Sequence, residues 1–160
     1  MSDLNSNYRS NLEAAKNESV GQLLFKCARL VNELGVARVR RGSRHTQFRH
    51  AHTMLFPHID LEGTRLTELA RRVDISKQAV GQLVNELESH GLLERIPDPS
   101  DGRARLIRFS EKGRSSLLEG LKVLGELETE ITRKIGKRRM KALHESLTAL
   151  LAALTDGSIS

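Results

Sequence analysis

Arg65-Leu66-Thr67-Glu68-Leu69-Ala70-Arg71-Arg72-Val73-Asp74-Ile75-Ser76-Lys77-Gln78-Ala79-Val80-Gly81-Gln82-Leu83-Val84-Asn85-Glu86-Leu87-Glu88 divides into two short amphipathic segments around a break at Asp74. Leu66, Leu69, Ala70 and Val73 recur at helical steps and predict the inner face of a helix over 66–73. Thr64 is its expected N-cap. Asp74-Ile75 predicts a tight turn, with Ile75 as its anchor. Ser76 then caps a second helix that runs to about His90, where Gly91 stops it. Ala79, Val80, Leu83, Val84 and Leu87 line the inner face of this second helix. Ser76, Lys77, Gln78, Gly81, Gln82 and Asn85 are left outward. Two helices joined by so short a turn have the spacing of a helix-turn-helix, and a polar, hydrogen-bonding face at the start of the second suits reading of a DNA major groove.

The segment after the second helix is more specific still. Leu92-Leu93-Glu94-Arg95-Ile96 predicts a short strand, and Pro97-Asp98-Pro99-Ser100-Asp101-Gly102 is dense in turn formers. Arg103 to Phe109 alternates basic and apolar residues and predicts the return strand of a hairpin with a long tip. A helix-turn-helix joined directly to a hairpin is a winged helix. Arginine suits the negative potential of a narrow minor groove. Arg103 is the residue expected to enter that groove, with Asp101 orienting its guanidinium and Arg105 beside it.

Helical seams flank this lobe on both sides. Val20, Leu23, Cys27, Leu30 and Leu34 form one stripe, broken at Gly42-Ser43. A second helix is expected from about Thr46 to Phe56, ahead of Pro57. After Ser110, Leu117, Leu121, Leu124, Ile131 and Ile135 form another stripe up to Gly136. Met140, Leu143, Leu147, Leu150 and Leu154 form a last one. These seams carry more apolar surface than a small reader needs, which points to a homodimer. The fold class is therefore mainly α with a small β-hairpin wing, a winged helix-turn-helix with N- and C-terminal dimerisation helices. Its organisation is a flexible arm over 1–18, dimerisation helices over 19–58 and 111–156, and a reading lobe over 59–110, interlocked as one domain.

The chain has 160 residues, a formal net charge of +6 and one cysteine. The charge favours a polyanionic partner. The single Cys27 excludes an intramolecular disulfide and a multi-cysteine zinc site. Aromatic residues make up 3%, too few for the stacking platforms of single-strand binders, so double-stranded DNA is the expected partner. No run of about 18 apolar residues and no signal-peptide pattern is present, which leaves no membrane partner and a cytoplasmic location as the expectation. No phosphate-binding glycine loop, nucleophile elbow or metal-ligand pair is found, so neither an enzyme nor a cofactor or metal site is expected.

Asp98-Pro99-Ser100-Asp101-Gly102-Arg103-Ala104-Arg105-Leu106-Ile107-Arg108-Phe109-Ser110-Glu111-Lys112-Gly113 resembles the wing signature of the MarR (multiple antibiotic resistance regulator) family. That family shows Asp, a basic residue, Arg, a strand and a Leu-Thr-x-x-Gly helix start. Leu69-Ala70, Ser76-Lys77-Gln78-Ala79-Val80 and Gly91-Leu92-Leu93-Glu94-Arg95 are similar to its other junctions, and the resemblance covers roughly residues 20 to 154. It departs at Gly102, where a second basic residue is common, and at Gly81, where Ser or Thr is common. The resemblance implies a homodimeric transcriptional regulator on a pseudo-palindromic operator, usually a repressor released by a small-molecule effector. It also implies an effector pocket, for which His45, Phe48, His52 and Cys27 are the candidates, with Cys27 expected to be a buried, inert thiol. Arg38, Arg40, Arg41, Arg44 and Arg49 form a basic run that is either a solvated face or an anion contact. Two alternatives stand beside this reading: a non-specific architectural DNA-binding protein, and a cysteine-based redox sensor of the same fold.

Overall fold

The computed structural model describes residues 2–42 and 49–157, with side chains from residue 7 onward. It forms two units, Met1–Leu118 and Glu119–Ser160, whose boundary falls within one long helix. The order is α1 (Ser2–Glu18), α2 (Val20–Gly42), α3 (His50–Thr53), a 3₁₀ turn (Phe56–His58), β1 (Thr64–Arg65), α4 (Leu66–Val73), α5 (Lys77–Ser89), β2 (Leu93–Asp98), β3 (Asp101–Phe109), α6 (Glu111–Ile135) and α7 (Lys137–Thr155).

The polar start is a helix and not the frayed arm expected. Leu12-Glu13-Ala14-Ala15-Lys16 are strong helix formers, and Lys16 pairs with Glu13 at 3.0 Å. The Ser19 amide bonds to the Ala15 carbonyl, so α1 runs almost unbroken into α2. Ser19 also caps α2 through its Oγ, which accepts from the Gln22 amide at 3.3 Å. The residues of α1 carry little apolar periodicity, so a packing argument gives no sign of the helix. The helix expected from Thr46 is shorter in its described part: α3 covers four residues, and Pro57 sits inside the 3₁₀ turn where its missing N–H costs nothing. Thr46 lies outside the described residues.

In the first unit, Leu55, Ile59, Leu69, Ala70, Val80, Val84, Leu87, Leu92, Leu93, Ile107 and Phe109 form one core. Phe56 meets Phe109 edge to face at 5.4 Å. The core gathers the 3₁₀ turn, both helices of the helix-turn-helix and the sheet, and Leu117 docks the start of α6 against it. The sheet has three antiparallel strands in the order β1-β3-β2, one more than the expected hairpin. The extra strand is Thr64–Arg65, paired with Leu106 and Ile107. Thr64 is therefore not a helix cap. Its buried hydroxyl accepts from the Asp60 amide at 2.9 Å and donates to the Asp60 carboxylate at 3.1 Å, closing the turn ahead of the strand.

The second unit carries the rest of α6, then α7 after a break at Gly136. Leu127 is its buried apolar residue, while Leu121, Leu143, Leu147, Leu151 and Leu154 stay exposed. In the first unit Val20, Leu23, Phe25, Leu30 and Leu34 of α2 are exposed as well.

Candidate nucleic-acid interface

The turn between α4 and α5 is set by Asp74, which adopts the left-handed conformation at φ 53° and returns its amide to the end of α4. Aspartate is among the few residues that enter this region readily. Ile75 is 37% exposed, so the expected anchor of the turn is only half covered; its amide, bonded to the Ala70 carbonyl at 3.2 Å, holds the turn instead. Ser76 starts α5 as read from the sequence, with its Oγ accepting from the Ala79 amide at 3.1 Å. Val80, Val84 and Leu87 then bury the inner face. Ser76, Lys77, Gln78, Gln82 and Asn85 are exposed together on the outer face. Gly81 lies at the edge of that face, half-buried, with Leu66 Cδ2 at 3.9 Å from where a Cβ would stand.

Asn85 is tied to the wing. Arg95 Nη2 donates to Asn85 Oδ1 at 2.7 Å, and the same guanidinium pairs with Glu88. The carbonyl of Asn85 is thus engaged within the lobe and its amide nitrogen is the group left for a ligand. Behind α5, Glu86 accepts from His52 Nε2 at 2.9 Å and from Arg49. His52 is buried, and its Nδ1 accepts from the Arg49 amide at 3.2 Å, which assigns the ring proton to Nε2. The carboxyl of Glu86 is held below its ordinary range by these two donors, Arg49 first. The pair joins α3 to α5, a link with no local sequence signal.

The wing is short at its tip. Pro99 and Ser100 alone connect Asp98 to Asp101, which pair across the hairpin, so the long tip expected is absent. Asp98 organises this turn. Its Oδ1 accepts from the amide and hydroxyl of Ser100 at 2.8 and 2.7 Å, and its Oδ2 accepts from Arg65 Nε at 2.6 Å. These donors hold the Asp98 carboxyl below its ordinary range, Ser100 first. Asp101 has a different role from the one expected. Its Oδ1 accepts from the Arg103 backbone amide at 3.1 Å, and its Oδ2 lies 3.7 Å from Arg65. It fixes the backbone of Arg103 and not its guanidinium.

Strand alternation decides where the wing arginines face. Arg103 and Arg105 share a face of β3 with Ile107 and Phe109. The latter two are buried, whereas the arginines lie beyond the core and are exposed. Arg108 falls on the opposite face and pairs with Glu94, its cross-strand neighbour, at 2.7 Å.

The charge of this lobe is not what the whole-chain value suggests. Residues 59–110 hold eight basic and nine acidic side chains. Arg65, Arg71, Arg72, Arg95 and Arg108 are each paired with carboxylates. Among the described residues, Lys77, Arg103 and Arg105 are the basic residues of the lobe that enter no ion pair. They are the cations available to a polyanion, and they stand at the first turn of α5 and on the outer part of β3.

The effector candidates do not gather into one described site. His45 and Phe48 lie outside the described residues, as does Arg44. His52 has both ring nitrogens engaged as above. Cys27 is exposed and not buried as expected. In the basic run, Arg41 donates to the Ala37 carbonyl at 3.3 Å and Arg49 is spent on Glu86. Among the described residues no three His, Cys, Asp or Glu side chains are placed to hold a metal ion, and no helix is long and apolar enough to cross a membrane.

Residues 55–104 match the model of the MarR family. The transcriptional activatory protein BadR of Rhodopseudomonas palustris is 28% identical over 107 residues, which are 65% of this chain and 61% of BadR. The chain thus spans about three-fifths of that curated relative. The reduced form of MarR from E. coli superposes with a TM-score of 0.70 at 19% identity, covering 83% of this chain and 96% of MarR. The transcriptional repressor CouR, solved on a 23-mer DNA duplex, superposes with a TM-score of 0.62 at 24% identity, covering 84% and 94%. At these identities the structural likeness concerns the fold.

Proposed function

We propose that this chain, a winged helix-turn-helix protein of the MarR family, reads a pseudo-palindromic operator as a homodimer. α5 enters the major groove and β2–β3 the minor groove. The observation that carries this reading is the placement of the unpaired cations. Lys77 stands at the start of a helix whose exposed face also offers Ser76, Gln78 and Gln82, and Arg103 and Arg105 stand on the wing. Gln and Lys are the side chains that pair with adenine and with guanine or phosphate in a major groove, and arginine suits a narrow minor groove. Two protomers set half-sites one helical turn apart, about 34–36 Å.

Exposed leucines support the dimer. Leu23, Leu30 and Leu34 of α2 and Leu143, Leu147, Leu151 and Leu154 of α7 are apolar surface of the kind a second copy covers. The lobe, with one more acidic than basic residue, is poorly matched to non-specific backbone binding, which works by charge. This favours sequence reading over an architectural role for the lobe. A binding protein, not an enzyme, is the reading for the whole chain. Repression relieved by a small molecule is its regulatory form, in line with the repressor named for CouR; the activatory role named for BadR is the contrasting outcome.

Footprinting on the DNA flanking the protein's own gene tests the reading. A palindrome protected at concentrations that leave its flanks uncovered supports it, and coverage of palindrome and flanks at the same concentrations overturns it. Arg103→Ala is expected to weaken operator binding by more than about ten-fold, or roughly 1.4 kcal/mol and upward, with the dimer intact. Unchanged affinity removes the wing arginine from the interface. A transcriptional reporter with and without the protein separates repression from activation.

A further inference from the structure

The chain holds 26 basic and 20 acidic residues, and the nine residues Arg133-Lys134-Ile135-Gly136-Lys137-Arg138-Arg139-Met140-Lys141 hold six basic and no acidic ones. Outside this corner the charges balance, so the whole net charge of +6 resides in the junction between α6 and α7. All six cations are exposed. Lys141 alone enters an ion pair, with Glu145 at 3.6 Å; Arg133, Lys134, Lys137, Arg138 and Arg139 enter none among the described residues.

Stability accounts for only part of this arrangement: Arg133 and Lys134 lie in the last turn of α6, where the helix field favours cations, but the three that follow Gly136 have no such reason. Lys137, Arg138 and Arg139 are the first three residues of α7, and its first turn has no acidic residue. Cations there oppose the field of the helix, which favours negative charge at its start. Five unpaired like charges over seven residues also repel one another. A group of residues that works against the local fold is expected to serve something else.

We infer that the α6–α7 corner is a second DNA-binding surface, which grips the phosphate backbone of a duplex without reading its sequence. The segment offers charge and little else. Its only apolar side chains, Ile135 and Met140, are half-buried, and it has no aromatic residue. Protein interfaces take their affinity from buried aromatic and apolar anchors, which are missing here. Single-stranded nucleic acid calls for stacking platforms, which are also missing. A helix lying on an anionic membrane spreads its cations along the whole polar face. On α7 they stop at Lys141, and the polar face continues with His144, Glu145, Ser146 and Thr148. A duplex backbone is the dense polyanion that charge alone recognises. The corner then supplies the long-range attraction that the lobe, with its surplus of acid, does not.

The test uses the full-length protein and a fluorescein-labelled random-sequence DNA duplex, titrated by anisotropy between about 50 and 200 mM salt. The R133Q/K134Q/K137Q/R138Q/R139Q variant is expected to lose at least about ten-fold in affinity. Its plot of log affinity against log salt should be flatter by about 0.9 for each phosphate contact removed. The K137Q/R138Q/R139Q variant is expected to show a smaller loss in the same direction. All these positions are exposed and unpaired, and Lys137, Arg138 and Arg139 oppose the field at the start of α7, so the melting temperature of the three-residue variant should not fall; that variant carries the test should the larger one, which also loses the favourable cations at the end of α6, fail to fold. An Arg103→Ala/Arg105→Ala variant should lose most of its preference for operator over random duplex, whereas the corner variants should lose affinity for both duplexes alike and keep that preference. Failure of operator reading is thereby distinguished from failure of the corner. The inference is overturned if the corner variants bind random duplex with native affinity and slope. It is equally overturned if they lose only co-sedimentation with phosphatidylglycerol vesicles, which would make the surface a membrane contact.

Discussion

Arg65 and Asp98 hold the helix-turn-helix and the wing in register: the guanidinium at the N-cap of α4 donates from Nε at 2.6 Å to the carboxylate that also shapes the tip of the hairpin. Asp98 is nearly covered by its neighbours, at 6% exposure, while the Arg65 side chain is 42% exposed. Removing the two partners is therefore unequal. Asp98→Ala removes the one covered carboxylate together with its bonds from the Ser100 amide and hydroxyl and from Arg65, and hydrogen bonds to charged groups contribute about 1.5–3 kcal/mol. Arg65→Ala leaves Asp98 its Ser100 donors and costs less, since an exposed arginine contributes ~1 kcal/mol or less. Urea unfolding is expected to rank Asp98→Ala as the more damaging of the two. Operator affinity should fall with both, because each loosens the wing that carries Arg103. Equal stability for Asp98→Ala and the native chain would remove Asp98 from its organising role.

Two helical glycines make opposite predictions. A Cβ on Gly113 would stand 1.8 Å from the Leu92 carbonyl oxygen, so α6 can approach the start of the sheet only with glycine there. This is the physical content of the glycine that closes the wing signature. Gly113→Ala is expected to cost about 3 kcal/mol, the upper end for overpacking, since it forces backbone apart. Gly81 has open space, with only Leu66 Cδ2 at 3.9 Å, and sits inside α5. Gly81→Ala is expected to stabilise the protein by up to ~1 kcal/mol through helix propensity. Thermal melts of the two variants should move in opposite directions. A stable Gly113→Ala would mean that α6 does not dock as described.

Acid should weaken the lobe in a defined window. Glu68 accepts from Arg71 at 2.7 and 2.9 Å and from Arg72 at 2.9 Å, and these donors hold its carboxyl down to about 2 from the ordinary 4.5. Asp60, beside Arg72 and Thr64, is lowered as well, and so are Asp98 and Glu86. A carboxyl whose folded value is depressed contributes its stability above the unfolded value and loses it as pH falls towards the folded one. Stability is thus expected to be flat above about pH 5 with respect to these groups and to decline from about pH 4.5 towards 2. Glu68→Gln, lacking the titrating group, should show a shallower decline. Melting temperature measured across that range checks both, and parallel curves for Glu68→Gln and native protein would contradict the assignment.

The parts of the lobe that are legible in the sequence are those set by neighbours along the chain. Ser76, Asp74 and Gly91 act within a few residues of themselves, so helix ends at Val73, Lys77 and Ser89 come from local chemistry. Apolar spacing likewise identifies Val80, Val84 and Leu87 as inward. The features that spacing does not reveal depend on long-range pairing. Thr64–Arg65 is a strand only because β3 lies beside it, and two residues leave no periodicity to detect. Asp101 is a wing carboxylate as expected, but its partner is a backbone amide, which no spacing argument separates from a guanidinium. The helix α1 is hidden for another reason: intrinsic propensity, not burial, accounts for it. The net charge is a poor guide because a whole-chain value hides where the charge sits. The six cations of 133–141 make the chain basic although the lobe itself is slightly acidic.

His52 offers a prediction that separates a buried structural link from a surface ion pair. Its ring is 1% exposed, with Nδ1 on the Arg49 amide and Nε2 on Glu86. His52→Ala removes both contacts, leaves the Arg49 amide without its acceptor and opens space between α3 and α5. Loss of packing and of a satisfied buried donor together cost about 2–4 kcal/mol. Glu86 has a side chain that is 41% exposed, so water replaces its role in part, and Glu86→Ala should cost ~1 kcal/mol. The two substitutions share one hydrogen bond, so the double variant should be more stable than the sum predicts, by roughly 0.5–1 kcal/mol. Because Glu86 stands one turn beyond Gln82 on the helix that presents Gln78 and Gln82, His52→Ala should also reduce operator affinity while Arg103→Ala leaves unfolding free energy unchanged. Urea titrations of the four proteins of the cycle, paired with operator binding, test this. Strict additivity would show that the hydrogen bond contributes nothing, and an unaffected operator affinity would show that α3 does not position α5.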